Sequence, residues 1–403
     1  MHNGGYKVSW YLAVRAVKRG NRGTLALTIL IIALVVVLMN FLAMIIGGVV
    51  TLYNQQMIDY QYGHVSIEPE EKELFIEDSD KLVKRLKKIP GVLGVSAHTG
   101  SGVTMTNPKN GKFRSLSITG LDPDDEEMVT RYNSRIIEGD YLSPGDTNEI
   151  LIGRLLAGNE DESQDKVPSL GGVAVGDMVD IAYGNGVVKK YRIKGIFETE
   201  GVLIDSSAFI SQKEMDSVMH TENTATEILI RGDAAESAPA LKYAIMEYGT
   251  QEKVRTWNEK GKGILGDAIN SFRLLNSIMT VVSLIVASVV VFIVTFINII
   301  NRRKQIAILK AIGIRGRIII GSYLLQVLFL CTCGVITGVL ILNGISGFLT
   351  INQLKFPMGY ITPVIDYPAL AYSILGLYMV SLVSGYIPAW QVAKEEILDA
   401  MRG

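Results

Sequence analysis

Four stretches of this 403-residue chain contain no Asp, Glu, Lys or Arg: residues 23–58, 274–301, 318–354 and 367–393. Each exceeds the roughly 20 apolar residues needed to cross a hydrocarbon core about 30 Å thick. A buried core helix seldom needs so long an unbroken run, so each reads as a membrane span. A fifth uncharged stretch, 89–108, is interrupted by Gly, Pro, Ser and Thr and reads as strand and turn. The first run continues past the roughly 7 to 15 apolar residues of a cleavable signal peptide, so it is expected to remain as an anchor. All 39 basic and 40 acidic residues fall outside the four runs, which leaves the intervening segments about as charged as soluble surface. A wholly soluble protein and a wholly hydrophobic one are both excluded.

Charge next to the spans sets a topology, because Lys and Arg are costly to translocate. Lys7, Arg15, Lys18, Arg19 and Arg22 precede the first span, and Arg302, Arg303, Lys304, Lys310, Arg315 and Arg317 lie between the second and third, with no acid in either group. Both segments are expected in the cytoplasm, with both termini inside and the large insert outside. The insert is acidic, and the near-neutral total of −1 conceals this asymmetry. No nucleic-acid partner is called for.

Within the insert, short alternating strands and amphipathic helices point to a mixed α and β (α+β) domain. Strands are expected at 64–68, 92–97, 103–106, 113–119, 149–152, 177–183, 190–197 and 225–230, and helices at 78–89, 212–219, 234–248 and 259–273, the last running into the second span. Asp78 to Asp80 supply N-cap material for the first helix, with Leu82, Leu86 and Ile89 on its inner face. Cys331 and Cys333 lie two positions apart in the third span, cannot readily pair, and read as packing residues. No phosphate loop, H-E-x-x-H pair, zinc-spaced Cys and His set or G-x-S-x-G turn occurs, so the chain carries no recognisable catalytic or metal site. The acidic cluster Asp122, Asp124, Asp125, Glu126 and Glu127 lacks calcium-loop spacing and reads as a solvated helix start.

The informative segment follows the second span: Arg302, Arg303, Lys304, Gln305, Ile306, Ala307, Ile308, Leu309, Lys310, Ala311, Ile312, Gly313. Its cations suit the inner membrane face. Ile306, Ile308, Leu309 and Ile312 put bulky apolar surface into a cytoplasmic loop, which points to docking on a partner, and Gly313 suits a C-cap. The segment resembles the coupling helix, E-R-x-x-E-I-G-I-L-R-A-[IL]-G, of the permease subunits in the ABC transporter family that includes MacB, the lipoprotein-releasing LolC and LolE proteins, and FtsX. The entry segment from Ala13 to Arg22 and the ending from Pro388 through Lys394 to Arg402 are similar to the same family, so the likeness covers essentially the whole chain. Asn301 and Gln305 replace the family's acids and Ala307 its Gly, which leaves apolar docking in place of charge-based docking. Ile397 stands where Pro is usual. Val175-Gly176-Asp177-Met178-Val179 and Lys194-Gly195-Ile196-Phe197 through Gly201 are similar to the lipoprotein-releasing branch.

The resemblance implies an entry helix at 1–22, a first span with outer stalk at 23–58, an extracytoplasmic domain of MacB-like periplasmic core type at 59–272, and a second span at 273–301. It continues with a coupling segment at 302–317, a third span at 318–354, an outer loop at 355–366, a fourth span at 367–390 and a cytoplasmic tail at 391–403. It implies a cytoplasmic ATPase partner, two copies per complex, which binds the ATP and Mg while this chain binds no cofactor, and a second permease subunit, identical or related. The coupling residues it implies are Arg302, Arg303, Lys304, Gln305, Ile306, Ile308, Leu309, Lys310, Ile312 and Gly313. The function it implies is movement of a lipoprotein-like or amphiphilic substrate, with an FtsX-like regulator that activates an outside partner as the alternative and the substrate site unknown.

Trp10, Ala13, Val14 and Val17 share a helical face, flanked by Arg15, Lys18 and Arg19, so the entry helix is expected at the membrane surface with its cations toward lipid headgroups. Gly334 and Gly338 permit close helix approach. Asn40 and Gln326 are polar groups within spans and are expected to bond across helices. If helical throughout, spans one and three would reach about 54 Å and project outward as stalks.

Overall fold

The computed structural model describes residues 9–15, 22–70, 73–165, 167–250, 252–356 and 359–394, with the backbone alone for 162, 262–269 and 304. In chain order a short helix α1 (9–15) precedes α2 (Arg22–Gln56), which continues as a π-helical turn over Met57–Tyr62. There follow β1 (Val65–Glu68), β2 (Ile76–Glu77), α3 (Ser79–Leu86), β3 (Val92–Thr106), β4 (Phe113–Leu121), α4 (Pro123–Glu127), β5 (Ile136–Gly139), β6 (Glu149–Gly153) and α5 (Arg154–Ala157). Next come β7 (Met178–Tyr183), β8 (Val188–Phe197), β9 (Ala208–Ser211), α6 (Gln212–Met219), β10 (Thr224–Ala225), β11 (Glu227–Gly232), α7 (Ala238–Glu247) and β12 (Lys253–Thr256). The chain ends with α8 (Trp257–Ile300), α9 (Arg303–Ala311), α10 (Gly316–Ile351), a hairpin of β13 (Leu354–Phe356) and β14 (Gly359–Ile361), and α11 (Tyr367–Lys394).

Two units result: a helical one (Met1–Val50, Ala268–Leu354, Ile361–Gly403) and an α/β one (Thr51–Asp267, Lys355–Tyr360). In the helical unit, Arg22–Tyr62, Asn270–Ile300, Gly316–Ile351 and Tyr367–Lys394 are long and apolar enough to cross a membrane, with mean hydropathy from 3.2 down to 1.6. The four share a core of Ile32, Val36 and Met39 on α2, Ala287 and Val291 on α8, Val327 and Cys331 on α10, and Leu377 on α11. The paired glycines of α10 make the close approach expected of them. A Cβ on Gly334 would lie 2.5 Å from Ile32, and one on Gly338 2.8 Å from Val36. Asn40 bonds across helices as expected, its Oδ1 accepting from Ser373 Oγ at 3.1 Å.

The α/β unit is organised by β3, whose fifteen residues serve two sheets. Up to His98 it pairs with β11, and the order β12-β1-β11-β3 forms a half-sheet. From His98 onward it pairs with β4 and then also with β7. The succession β3-β4-β9-β6-β8-β7 returns to β3, so six strands close into a barrel without a free edge. Met105, Ile118, Ile150, Ile181, Ile193 and Ile210 fill it, and Met215 of α6 packs against them. The half-sheet buries Val65, Ile67, Val95, Ile228 and Ile230 under Leu82, Leu86, Leu241 and Ile245 of α3 and α7.

Several expectations change. The strands expected at 92–97 and 103–106 are one strand, because Gly100 and Gly102, read as a break, sit where β3 changes partners. Asp78 does not cap α3; it is left-handed (φ 51°), and Asn223 Oδ1 accepts from the Asp80 amide instead. In α4 the Asp122 carboxylate does cap, accepting from the Asp124 amide, yet Glu126 in the same cluster is fully buried rather than solvated. The helix expected at 259–273 does run into the second span: α8 has 44 residues, about 66 Å at 1.5 Å per residue.

Candidate functional site

The backbone leaves helical geometry at Arg302 (φ −114°, ψ 11°), resumes as α9, and stops at Gly313 (φ 95°), a conformation open to glycine. One side of α9 is locked in place. Ile306 and Ala307 are buried, Ile306 among Ile299 of α8, Ile319 and Tyr323 of α10 and Ala389 of α11. Lys310 Nζ donates to the Val392 carbonyl at 3.5 Å. The opposite side is bare: Ile308 is 54% exposed and Ile312 74%. Ile306 is therefore corrected from a docking residue to an anchor, since residues two apart on a helix face different ways. Ala307, in place of a glycine, is equally enclosed. Leu309 is half-buried, as are Arg302, Arg303 and Lys310, while Gln305 is exposed; the Lys304 side chain lies outside the described residues.

The three segments that carry the family resemblance meet here. Ala389 and Val392 of the ending pack around Ile306, and α1 docks on the start of α10 through Ser9 Oγ, which donates to the Ile318 carbonyl at 3.0 Å. On α1, Ala13 is buried, Trp10 (63%) and Val14 (38%) are exposed, and Arg15 donates to the Tyr11 hydroxyl at 2.8 Å. Val17, Lys18 and Arg19, expected on the same surface helix, lie outside the described residues, as do Lys7 and the ending beyond Lys394.

The α/β unit holds buried charge clamps. His98 Nε2 lies 2.6 Å from Glu126 Oε2, and Glu126 Oε1 accepts from Thr130 Oγ1 at 2.7 Å. Burial works against the charge on His98, but the Glu126 carboxylate outweighs it and raises the imidazole above its usual range; burial likewise opposes ionisation of Glu126, and His98 wins, holding the carboxyl low. Lys260 donates to Glu227 at 2.5 Å and pairs with Glu68 at 2.7 Å, its ammonium 4.5 Å from the Tyr62 ring centre. Burial pushes Asp205 up to about 6, although Thr199 donates to it through both amide and hydroxyl at 2.7 Å. No group of metal-binding residues occurs among the described residues. The His98 and Glu126 pair escaped the sequence reading, because Glu126 stands in an acidic run whose other members are not buried.

Residues 25–248 match the MacB-like periplasmic core domain and residues 277–397 the FtsX-like permease C-terminal domain. The chain is 24% identical over 353 residues to the uncharacterized ABC transporter permease YvrN of Bacillus subtilis, covering 80% of this chain and 79% of that one. It is 24% identical over 333 residues to the uncharacterized ABC transporter permease MJ1507 of Methanocaldococcus jannaschii, with the same two coverages. To the macrolide export ATP-binding/permease protein MacB of Mannheimia succiniciproducens it is 23% identical over 221 residues, 53% of this chain but only 34% of that protein. A core-domain match over more than half of the chain, followed by a permease match on its apolar helices, shows that this membrane protein with a large extracytoplasmic domain belongs to the MacB/FtsX family of ABC transporter permeases.

Proposed function

We propose that the chain is a permease subunit whose α9 receives the movement of a separate ATP-binding subunit. The observation that carries this reading is the two-sidedness of α9: Ile308 and Ile312 bare, Ile306 and Ala307 locked. A partner that buries Ile308 and Ile312 gains apolar contact, and because Ile306 touches α8, α10 and α11 at once, force on α9 reaches three spans together. In this reading α9 and both termini lie in the cytoplasm, where flanking Arg and Lys favour them, and ATP and Mg are held by two copies of the partner. Both α2 and α8 run from the helical unit into the α/β unit, which makes them the natural carriers of movement outward. The complete transporter contains a second permease chain. The substrate is amphiphilic and lipoprotein-like; the similarity at 175–179 and 194–201 to the lipoprotein-releasing branch supports this.

Replacing Ile308 and Ile312 with Asp buries charge in the proposed contact. Co-purification of the ATP-binding subunit is expected to fall at least tenfold, as for loss of a central apolar anchor. Undiminished co-purification and undiminished ATPase activity of the complex would sink the assignment.

A further inference from the structure

The chain between α10 and α11 does more than join them. After the hairpin of β13 and β14 it runs along α2 as a short irregular segment, residues 361–364, in which Ile361 is enclosed. Val364 N–H donates to the Met44 carbonyl at 3.1 Å. The seat for this segment on α2 is a pair of glycines. A Cβ on Gly48 would lie 2.5 Å from the Thr362 carbonyl oxygen and 2.7 Å from Ile361 Cγ2, and one on Gly47 would lie 3.1 Å from the Val364 carbonyl oxygen. Consecutive glycines weaken a helix; here they let a second backbone approach it. Met44 also packs with Leu342 of α10 and Leu370 of α11. Three residues after Val364, α11 begins at Tyr367, with Asp366 Oδ1 accepting from the Ala369 amide at 3.1 Å. The division between the two units falls at Val50–Thr51 on α2 and at Tyr360–Ile361 on the connecting chain, so the seat lies close to the boundary on both.

We propose that residues 361–364 are a strap that fastens α2 to α10 and α11, so that movement of those two spans is delivered to the part of α2 that enters the α/β unit. Contacts such as those of Ile32 and Val36 with α10 join side chains to a helix face. The strap differs in kind, because it joins backbone to backbone. A screw motion of α2 by one residue would press Val49 onto the Thr362 carbonyl in one sense, and Ile46 onto the Val364 carbonyl in the other. The strap therefore resists both sliding and turning of α2, and it does so about 18 Å along the helix from Val36 at 1.5 Å per residue. The source of the movement rests on the coupling reading; the fastening itself does not.

Hydrogen exchange of the full chain with its ATP-binding subunit, with and without a non-hydrolysable ATP analogue, tests both parts. Gly48→Ala sets a Cβ against the Thr362 carbonyl, and Val364→Pro deletes the N–H donor without altering α2. Each is expected to speed exchange over 359–366 about fivefold, the scale of one hydrogen bond. In the unaltered complex the analogue is expected to change exchange over 51–62, where α2 enters the α/β unit. In both variants that response is expected to be lost while the ATP-binding subunit stays bound and still hydrolyses ATP, a split that a merely structural contact would not produce. Unchanged exchange over 359–366 in both variants, or an undiminished response over 51–62 once the strap is loosened, overturns the proposal. Ile312→Asp is expected to release the ATP-binding subunit and to leave exchange over 359–366 as it is, which separates failure of the strap from failure of the coupling reading.

Discussion

The two units place apolar side chains in opposite directions. In the α/β unit Met105, Ile118, Ile150 and Ile193 are wholly enclosed, and the carboxylate of Glu126, enclosed with no exposure, has a cationic partner and a hydroxyl donor. In the helical unit Leu27, Leu30, Leu34 and Leu38 face outward, while Ala33, Gly334, Ser381 and Ser384 lie inside. Water drives apolar groups inward in the first case. Lipid tails give no such drive in the second, so small residues and close contact hold the helices together. A substitution that leaves charge unpaired should therefore act most strongly in the α/β unit, and one that adds volume most strongly between α2 and α10.

The largest effect is expected from Glu126→Ala. It leaves the largely buried His98 without its counter-charge at the point where β3 changes sheets, and removal of one member of a buried pair costs about 3–5 kcal/mol. Urea unfolding followed by Trp257, in a background with Trp10 and Trp390 replaced by Phe, reads the α/β unit. A loss below about 1 kcal/mol, the scale of an exposed pair, would break the contrast between the units.

Next is Gly334→Val. The added atoms would begin 2.5 Å from Ile32 Cγ2, and overpacking of this kind costs about 1–3 kcal/mol. The thermal midpoint of the full chain in detergent should fall. Replacement of Gly344, whose Cβ would meet nothing within 4 Å, should leave it unchanged. Equal effects at the two glycines would show that α10 does not rely on this contact.

What the sequence made legible follows the same division. Spans are visible because lipid tolerates no charge over some twenty positions, a rule that needs no knowledge of partners. Closure of the barrel is not visible, because it depends on pairings far apart in the chain: parallel β4 with β9 and β6 with β8, and the return of β7 to β3. Short strands such as β5, β9 and β12 have too few residues to show a period, and all four residues of β9 are buried, so no alternation marks it. At α9 the apolar excess was legible, but the side it turned to the protein was not. Ile306 and Ile308 look alike until α10 and α11 supply the contacts that bury one of them. Asn40 and Gln326 were equivalent in sequence too, and of the two it is Asn40 that meets a serine among the described residues.

Acidity provides a graded way to probe the His98 clamp. His98 is raised above its ordinary value near 6.5, so its contribution is complete below that pH and is lost as pH rises through the folded-state value. Glu126 is held below its ordinary value near 4.5, so its contribution is present above that pH and is lost as pH falls through the folded-state value. The pair is thus fully effective between about 4.5 and 6.5. Glu227 and Lys260 also act on His98, in opposing senses. The Trp257 urea midpoint should decline as pH rises beyond this window, and His98→Gln should flatten that decline. An unchanged slope in His98→Gln would assign the pH dependence to other groups.

The smallest effect is expected inside the helical unit, at a polar contact between two spans. Ser288 and Ser384 hydroxyls lie 2.6 Å apart between α8 and α11. Ser384 Oγ also bonds the Val380 carbonyl within its own helix, so Ser288→Ala removes one partner without orphaning the other. Interhelical hydrogen bonds of this kind are worth about 0.6 kcal/mol, because the separated helices find replacements. Ser288→Ala should therefore shift the thermal midpoint by far less than Gly334→Val. A shift of equal size would mean that polar bonds rather than close packing hold α8 to α11, and the contrast between the two units would then lie in the solvent they face and not in what joins their elements.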